Sequence, residues 1–163
     1  MAHHLPTTET QAKAFGRELP LSSKQGIEIC NRLRGRSVQQ AKKILDDAIT
    51  FKRAIPFKRF TNALGHKPGK MASGRYHPKA CTLIKMVLAS AEANALNKGL
   101  GTQHLMIKHL SAQKAGNQNH MGSRRGIRMR RTHIEVILES APIEQKEKKT
   151  QTKKETTPKA ETP

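Results

Sequence analysis

Apolar positions recur at helical spacing in three stretches of the chain. Ile27, Cys30 and Leu33 fall three apart, with Ser22-Ser23 ahead of them as N-cap candidates and Gly35 behind them as a stop. That arrangement predicts a helix over about 23–34. Val38, Ala41, Ile44, Leu45, Ala48 and Ile49 resume the period behind Ser37, which has Gln40 three residues on, the pattern of a capping box. A second helix is expected over about 38–53. Pro78 suits a first helical turn, and Ala80, Cys81, Ile84, Val87, Leu88, Ala91 and Ala95 form one apolar stripe that stops at Gly99. Two later stretches alternate instead. Leu105 and Ile107 alternate with His104, Met106 and Lys108, and Ile134, Val136 and Leu138 with His133, Glu135 and Ile137. Both read as strands, and their apolar faces suit an antiparallel pair covered on one side by the helices. Ala12-Lys13-Ala14-Phe15 could add a short edge strand before Pro20.

Two segments inside this pattern have no apolar period. Pro56 to His77 is rich in Lys, Arg, Gly and His and is expected to be an extended basic loop. Ser111 to Thr132 must leave the first strand and return as the second; its middle, Gly116 to Gly122, is turn-rich and its return limb is basic. The expected fold is α+β, with three helices packed on a small antiparallel sheet and a long protruding β-hairpin. Residues 1–11 are expected to be a flexible N-terminus, 12–140 a single domain, and 141–163 a disordered tail of Lys, Glu, Thr and Pro.

Charge changes the picture from fold to partner. The 163 residues carry 31 Lys and Arg against 12 Asp and Glu, a formal +19. From Ala48 to Ile134 there are 17 Lys and Arg and one acid, Glu92. A solvated face normally interleaves signs, so a span of this length with a single acid points to a polyanion. No apolar run approaches the ~20 residues that span a membrane. The first residues lack the charged start and apolar segment of a signal peptide, so a cytoplasmic protein is expected. Hydrophobic residues make up 35% and aromatic ones 3%, which limits the core to short aliphatic faces.

The candidate nucleic-acid contacts follow from that span. Arg124, Arg125, Arg128, Arg130 and Arg131 form one cluster, flanked by Lys114 and His133; guanidinium groups bind phosphate bidentately and stack on bases. Lys52, Arg53, Lys58, Arg59, Lys67, Lys70, Arg75 and Lys79 form a second, with Phe57, Phe60 and Tyr76 among them. The two phenylalanines are expected to anchor the loop on the third helix, whereas Tyr76 is free to meet a base. It lies just ahead of that helix's N-terminus, itself suited to a phosphate. The competing reading of the arginine cluster is a solvated charged face. Eight scattered histidines lack metal-ligand spacing, and Cys30 and Cys81 read as buried small hydrophobes, so no metal or cofactor is expected. Asp46-Asp47 diverge by about 100° on a helix and suit pairing with Lys42 and Lys43 better than catalysis.

Several segments, in order, resemble a known family: Leu19-Pro-Leu-Ser-Ser-Lys, Leu33-Arg-Gly-Arg-Ser-Val, Ala41-Lys-Lys-Ile-Leu, Gly74-Arg-Tyr with Pro78-Lys-Ala, Ala91-Glu-Ala-Asn-Ala, Lys98-Gly-Leu and Arg131-Thr-His-Ile-Glu-Val-Ile-Leu. Over about residues 12–140 the chain is similar to the universal large-subunit ribosomal protein twenty-two, in its archaeal and eukaryotic form, which eukaryotic nomenclature numbers seventeen. The resemblance implies a compact α+β domain beside the peptide exit and a hairpin, about Ser111 to Thr132, running inward through rRNA. It implies large-subunit rRNA and neighbouring ribosomal proteins as partners, with the tip, Asn117, Gln118, Asn119, His120 and Met121, facing the nascent peptide in the exit tunnel. It also places the archaeal-type insertion at Pro56 to His77. The tip here is polar, has no proline and is a few residues shorter than is usual in the family.

The sequence therefore supports a ribosome-bound, non-enzymatic structural protein that binds large-subunit rRNA and aids subunit assembly, with no homo-oligomer expected. A free nucleic-acid-binding regulator or chaperone is the rival from another class; it needs a base-reading helix or an aromatic sheet motif, and neither pattern occurs. An enzyme ranks third, because no paired carboxylates or phosphate-cradling loop can be found.

Overall fold

The computed structural model describes residues 8, 10–69, 71–101 and 104–140. Lys70 and the expected tail at 141–163 lie outside the described residues, as does most of the expected N-terminal segment. The elements run in the order β1 (Gln11–Leu19), α1 (Ser23–Leu33), α2 (Val38–Ile49), β2 (Ile55–Pro56), β3 (Gly74–Arg75), α3 (Pro78–Asn97), β4 (Leu105–Lys114), β5 (Gln118–Asn119), β6 (Arg128–Met129) and β7 (Thr132–Ser140). The fold is α+β. Three helices cover an antiparallel sheet of order β1-β7-β4. In this layer α1 lies over β4, α3 lies over β1 and β7, and α2 packs against α3.

The helical stripes account for that layer. All seven apolar positions predicted for α3 are buried, and Leu33, Val38, Ala41, Leu45 and Ala48 join them in one core with Ile107, Leu110, Ile134, Val136 and Leu138. On α1 the stripe is rotated from the expected one: Gly26, Ile29, Cys30 and Leu33 are buried and Ile27 is only half-buried. Gly26 is where the helix meets the sheet, since a Cβ there would come within 3.0 Å of Ala112. Ser37 caps α2 as expected, its Oγ accepting from the Gln40 N–H at 3.3 Å. The helix ends at Ile49 rather than 53. Phe51 takes a left-handed φ of 59°, and the Asp47 carbonyl accepts from the N–H groups of both Lys52 and Arg53. Asp46 and Lys42 pair across to α3 instead of within α2: Lys85 Nζ is 2.6 Å from Asp46, and Lys42 pairs with Glu92.

The sheet is wider than a pair. β1 extends from Gln11 to Leu19 and places β7 in the centre, so Glu135 and Ile137 are buried although alternation placed them on an open face. Glu135 is 1% exposed and meets Lys13 Nζ at 2.8 Å across the β1–β7 pair. In β4 the register shifts between Ile107 and His109, which moves the buried set from odd to even positions and brings Leu110 into the core. His109 is consequently half-buried, while His104 is exposed.

Both outer edges of this sheet are occupied. The Gly35 N–H donates to the Ile107 carbonyl and the Ile107 N–H to the Arg36 carbonyl, so the α1–α2 turn lies along β4, where Arg34 also donates to the Leu110 carbonyl at 2.8 Å. On β1, the Gln11 carbonyl accepts from Lys98 Nζ, just past α3, and the Lys13 carbonyl from Asn94 Nδ2 of α3, each at 2.8 Å.

The basic segment 56–77 is tied down in three ways. Its ends pair as β2 with β3, and His66 bridges Ser73. The third tie is Glu28 of α1, which is 2% exposed and accepts backbone N–H groups from Lys58, Arg59 and Phe60 at 3.1, 2.7 and 2.9 Å. Hydrogen bonds to a charged acceptor contribute about 1.5–3 kcal/mol each before non-additivity. Removing the acceptor by Glu28→Ala is expected to lower unfolding stability by roughly 2–3 kcal/mol in urea titration. The same change should abolish hydrogen-exchange protection at the amides of Lys58, Arg59 and Phe60 while leaving the α3 amides slow; retained protection there would refute the tie.

Cys30 and Cys81 are buried in the core. Burial pushes Cys30 up to about 12, against an opposing pull from Arg34, and Cys81 up to about 11. Raised values keep both thiols protonated and unreactive through the neutral range. A thiol reagent at pH 8 is expected to modify neither cysteine in the folded protein and both after denaturation.

Candidate nucleic-acid interface

The first basic surface is built from the end of α2 to the start of α3. Lys52 and Arg53 lie just past α2 and are exposed, as are Lys58, Arg59 and Lys79. The Glu28 tie holds the backbone of residues 58–60 inward, so the side chains of Lys58 and Arg59 project from an anchored chain. Arg75 is exposed and donates from Nη2 to the Ala63 carbonyl at 3.0 Å, spanning the segment. Tyr76 is half-buried. Its ring lies 5.4 Å from that of Phe51, with Lys67 Nζ 5.6 Å from its centroid. Phe57 is buried with its ring 5.4 Å from His77 at the cap of α3, in line with its expected anchoring role. Phe60 departs from that role. It is half-buried beside α1, with Lys24 Nζ and the Arg59 guanidinium 5.5 and 5.4 Å from its centroid.

The second surface is the connection from β4 to β7. β5 pairs antiparallel with β6, the Ala115 N–H donates to the Arg131 carbonyl, and the His120 N–H donates to the Ile127 carbonyl. The turn therefore lies between His120 and Ile127, later than the expected Gly116 to Gly122. Gly122 supplies the left-handed φ of 70° that opens a single 3-10 turn over Gly122–Arg124. Arg124 and Arg125 consequently sit in the turn, while Arg128, Arg130 and Arg131 lie on the return limb. Arg124, Arg125, Arg128 and Arg130 are exposed. Arg131 is half-buried and donates from Nε to Gln118 Oε1 at 3.2 Å. Gln118 and Asn119 belong to the paired stem, Asn117 is exposed just before it, and Met121 is 94% exposed beside His120 at the turn. Lys114 is exposed at the end of β4. His133 is held by the protein itself: its ring stacks on Phe15 at 5.5 Å, and its Nδ1 accepts from the Glu18 N–H.

These two surfaces meet. Arg59 and Arg75 of the first and Arg130 of the second line one cavity of about 240 Å³, together with Lys24 of α1. Sequence reasoning missed Lys24 and Glu28, because each looks like an ordinary polar position on an amphipathic helix. Among the described residues no group of three His, Cys, Asp or Glu side chains is placed to hold a metal ion, and no helix is long and apolar enough to cross a membrane. What remains is a cationic surface with rings set into it, suited to phosphate neutralisation and base stacking.

Comparison with known proteins gives one consistent result. Residues 14–139 match the family described as ribosomal protein L22p/L17e. The large ribosomal subunit protein uL22 of Archaeoglobus fulgidus is 46% identical over 112 residues, covering 67% of this chain and 72% of the relative. Its counterpart in Methanocaldococcus jannaschii is 42% identical over 108 residues, covering 65% and 69%. That of Methanococcus aeolicus is 38% identical over 135 residues, covering 78% and 88%. With residues 14–139, most of its length, matched by the family and a relative 46% identical over 67% of the chain, the chain belongs to the ribosomal protein L22p/L17e family.

Proposed function

We propose that this chain, a non-enzymatic structural constituent of the large ribosomal subunit as its family is, holds large-subunit rRNA between two cationic surfaces. Lys52, Arg53, Lys58, Arg59, Lys67, Lys70, Arg75, Tyr76 and Lys79 make the first contact. Lys114, Arg124, Arg125, Arg128, Arg130, Arg131 and His133 make the second. The observation that carries this reading is the exposure of Arg124, Arg125, Arg128 and Arg130 in a span whose one acid, Glu92, is already paired with Lys42. Unopposed guanidinium groups repel one another until phosphates neutralise them.

In this reading the β4–β7 connection is the family's long hairpin. It enters the rRNA and brings Asn117, His120 and Met121 to the wall of the nascent-peptide tunnel, with Arg124 and Arg125 beside them at the turn. Neighbouring ribosomal proteins are further partners, and the protein works on the ribosome in the cytoplasm, aiding assembly of the subunit. Lys and Arg neutralise phosphate while the α+β core sets their spacing.

Two measurements test the reading. Replacing Arg124, Arg125, Arg128, Arg130 and Arg131 by Gln is expected to weaken rRNA binding. The slope of log affinity against log salt should flatten by up to about 4, at roughly 0.7–0.9 for each phosphate that is no longer neutralised. An unchanged slope would remove the connection from the interface. In high-salt sedimentation of cell extract the wild-type chain should stay with the large subunit; ready release would identify a loosely bound factor instead.

A further inference from the structure

We infer that the cavity where the two cationic surfaces meet is a receptor for one unpaired RNA nucleotide, its base stacked on Phe60 and its phosphates held by Lys24, Arg59, Arg75 and Arg130. This inference rests on the proposed rRNA-binding role and adds the kind of RNA feature that the site selects.

Size is the first argument. At about 240 Å³ the cavity falls below the roughly 300–1,000 Å³ of pockets for drug-sized ligands, which suits a single base rather than an extended strand or a larger cofactor. Chemistry is the second. Four cations drawn from three separate parts of the chain line the cavity with Phe57 and Phe60: Lys24 from α1, Arg59 and Arg75 from the tied basic segment, and Arg130 from the return limb, with Lys24 and Arg59 against the Phe60 ring. A surface that only neutralised a duplex backbone would need no half-buried ring among its cations. A stacked base flanked by phosphates uses both components. The ring is also preset, because the Phe60 N–H is one of the three held by Glu28.

The third argument is an unmet hydrogen-bonding atom. His77 lines the cavity, and its Nε2 is buried with no partner among the described residues. Burial, and secondarily the charge of Arg75, lowers its proton affinity, so the ring stays neutral and offers one donor and one acceptor. That nitrogen is closed to solvent in the free protein, so a base edge or ribose hydroxyl completes it only when the ring turns toward the cavity. Further support comes from α1. Ser22, which also lines the cavity, caps the helix without a side-chain hydrogen bond, and the first turn contains no acid, so its N–H groups are available to a phosphate.

The test uses the full-length chain and two RNA stem-loops that differ only by one unpaired nucleotide in the stem. Wild type is expected to bind the bulged RNA about fivefold or more tighter than the fully paired one, the least that one stacking contact contributes. Phe60→Leu should abolish this preference, Phe60→Tyr should keep it, and both should retain the wild-type unfolding midpoint and salt slope. Equal wild-type binding of the two RNAs with a steep salt slope would overturn the receptor while leaving the rRNA-binding role standing. Persistence of the preference in Phe60→Leu would also overturn the receptor. Weak, salt-insensitive binding of both RNAs would overturn the receptor and the role together.

Discussion

A carboxylate enclosed by a fold is tolerated only where cations or N–H donors surround it, since a bare buried charge costs several kcal/mol. Two such groups organise this protein. Glu28 holds three backbone N–H groups of the basic segment, and Glu135 on the central strand meets Lys13 of β1. Other described acids also work inside the structure: Asp46 and Glu92 join α2 and α3 through Lys85 and Lys42, and Glu139 accepts from Lys108 and Gln11. Negative charge is scarce in this chain, and most of what the described residues hold is committed to internal contacts. Glu18 reaches the base of the β4–β7 connection through Gln118, beside Arg131, but among the described residues Arg124, Arg125, Arg128 and Arg130 form no ion pair, which is the condition that makes an RNA partner attractive.

The aliphatic core serves the same end. It is small and built from Ala, Leu, Ile and Val with almost no rings, and its function is to hold three separate cation sources at fixed spacing. α1 presents Lys24 at one end and Glu28 one turn further on, so a single helix both contributes to the cavity and anchors the segment that forms another of its walls. The central strand β7 begins at Thr132, where Arg131 ends the return limb, so the second surface grows directly out of the best-buried element of the sheet. Thr132 is itself fully buried and donates from Oγ1 to the Leu21 carbonyl, which fixes the point of departure.

Much of this is legible in the chain itself, and the gaps have specific causes. The α3 stripe is complete because Pro78 and Gly99 bracket an uninterrupted helical period. The pattern carries α2 four residues too far, because the Asp47 carbonyl that closes it and the left-handed Phe51 leave no mark in a hydrophobic period. It cuts β1 short because the strand's outer half, Gly16 to Leu19, carries polar residues and an irregular register against β7. It places the turn too early because Gly116-Asn117-Gln118-Asn119 looks like a turn sequence, yet the chain pairs there and reverses around Gly122. Both cationic regions are visible from charge alone. Their meeting at one cavity is not, since Lys24, Arg59 and Arg130 are brought together only by tertiary structure.

The occupied sheet edges bear on the protein before it reaches its partner. An open strand edge is a template for another chain, and proteins made in excess of their assembly sites are exposed to that hazard. Here the α1–α2 turn and Arg34 lie along β4, and Asn94 of α3 and Lys98 just past it cover carbonyls of β1. A copy waiting to be incorporated thus offers few free backbone groups for strand addition by a second copy, and its surplus positive charge keeps copies apart. The contacts that take up these edge groups come from the same helices, and the turn between them, that form the core.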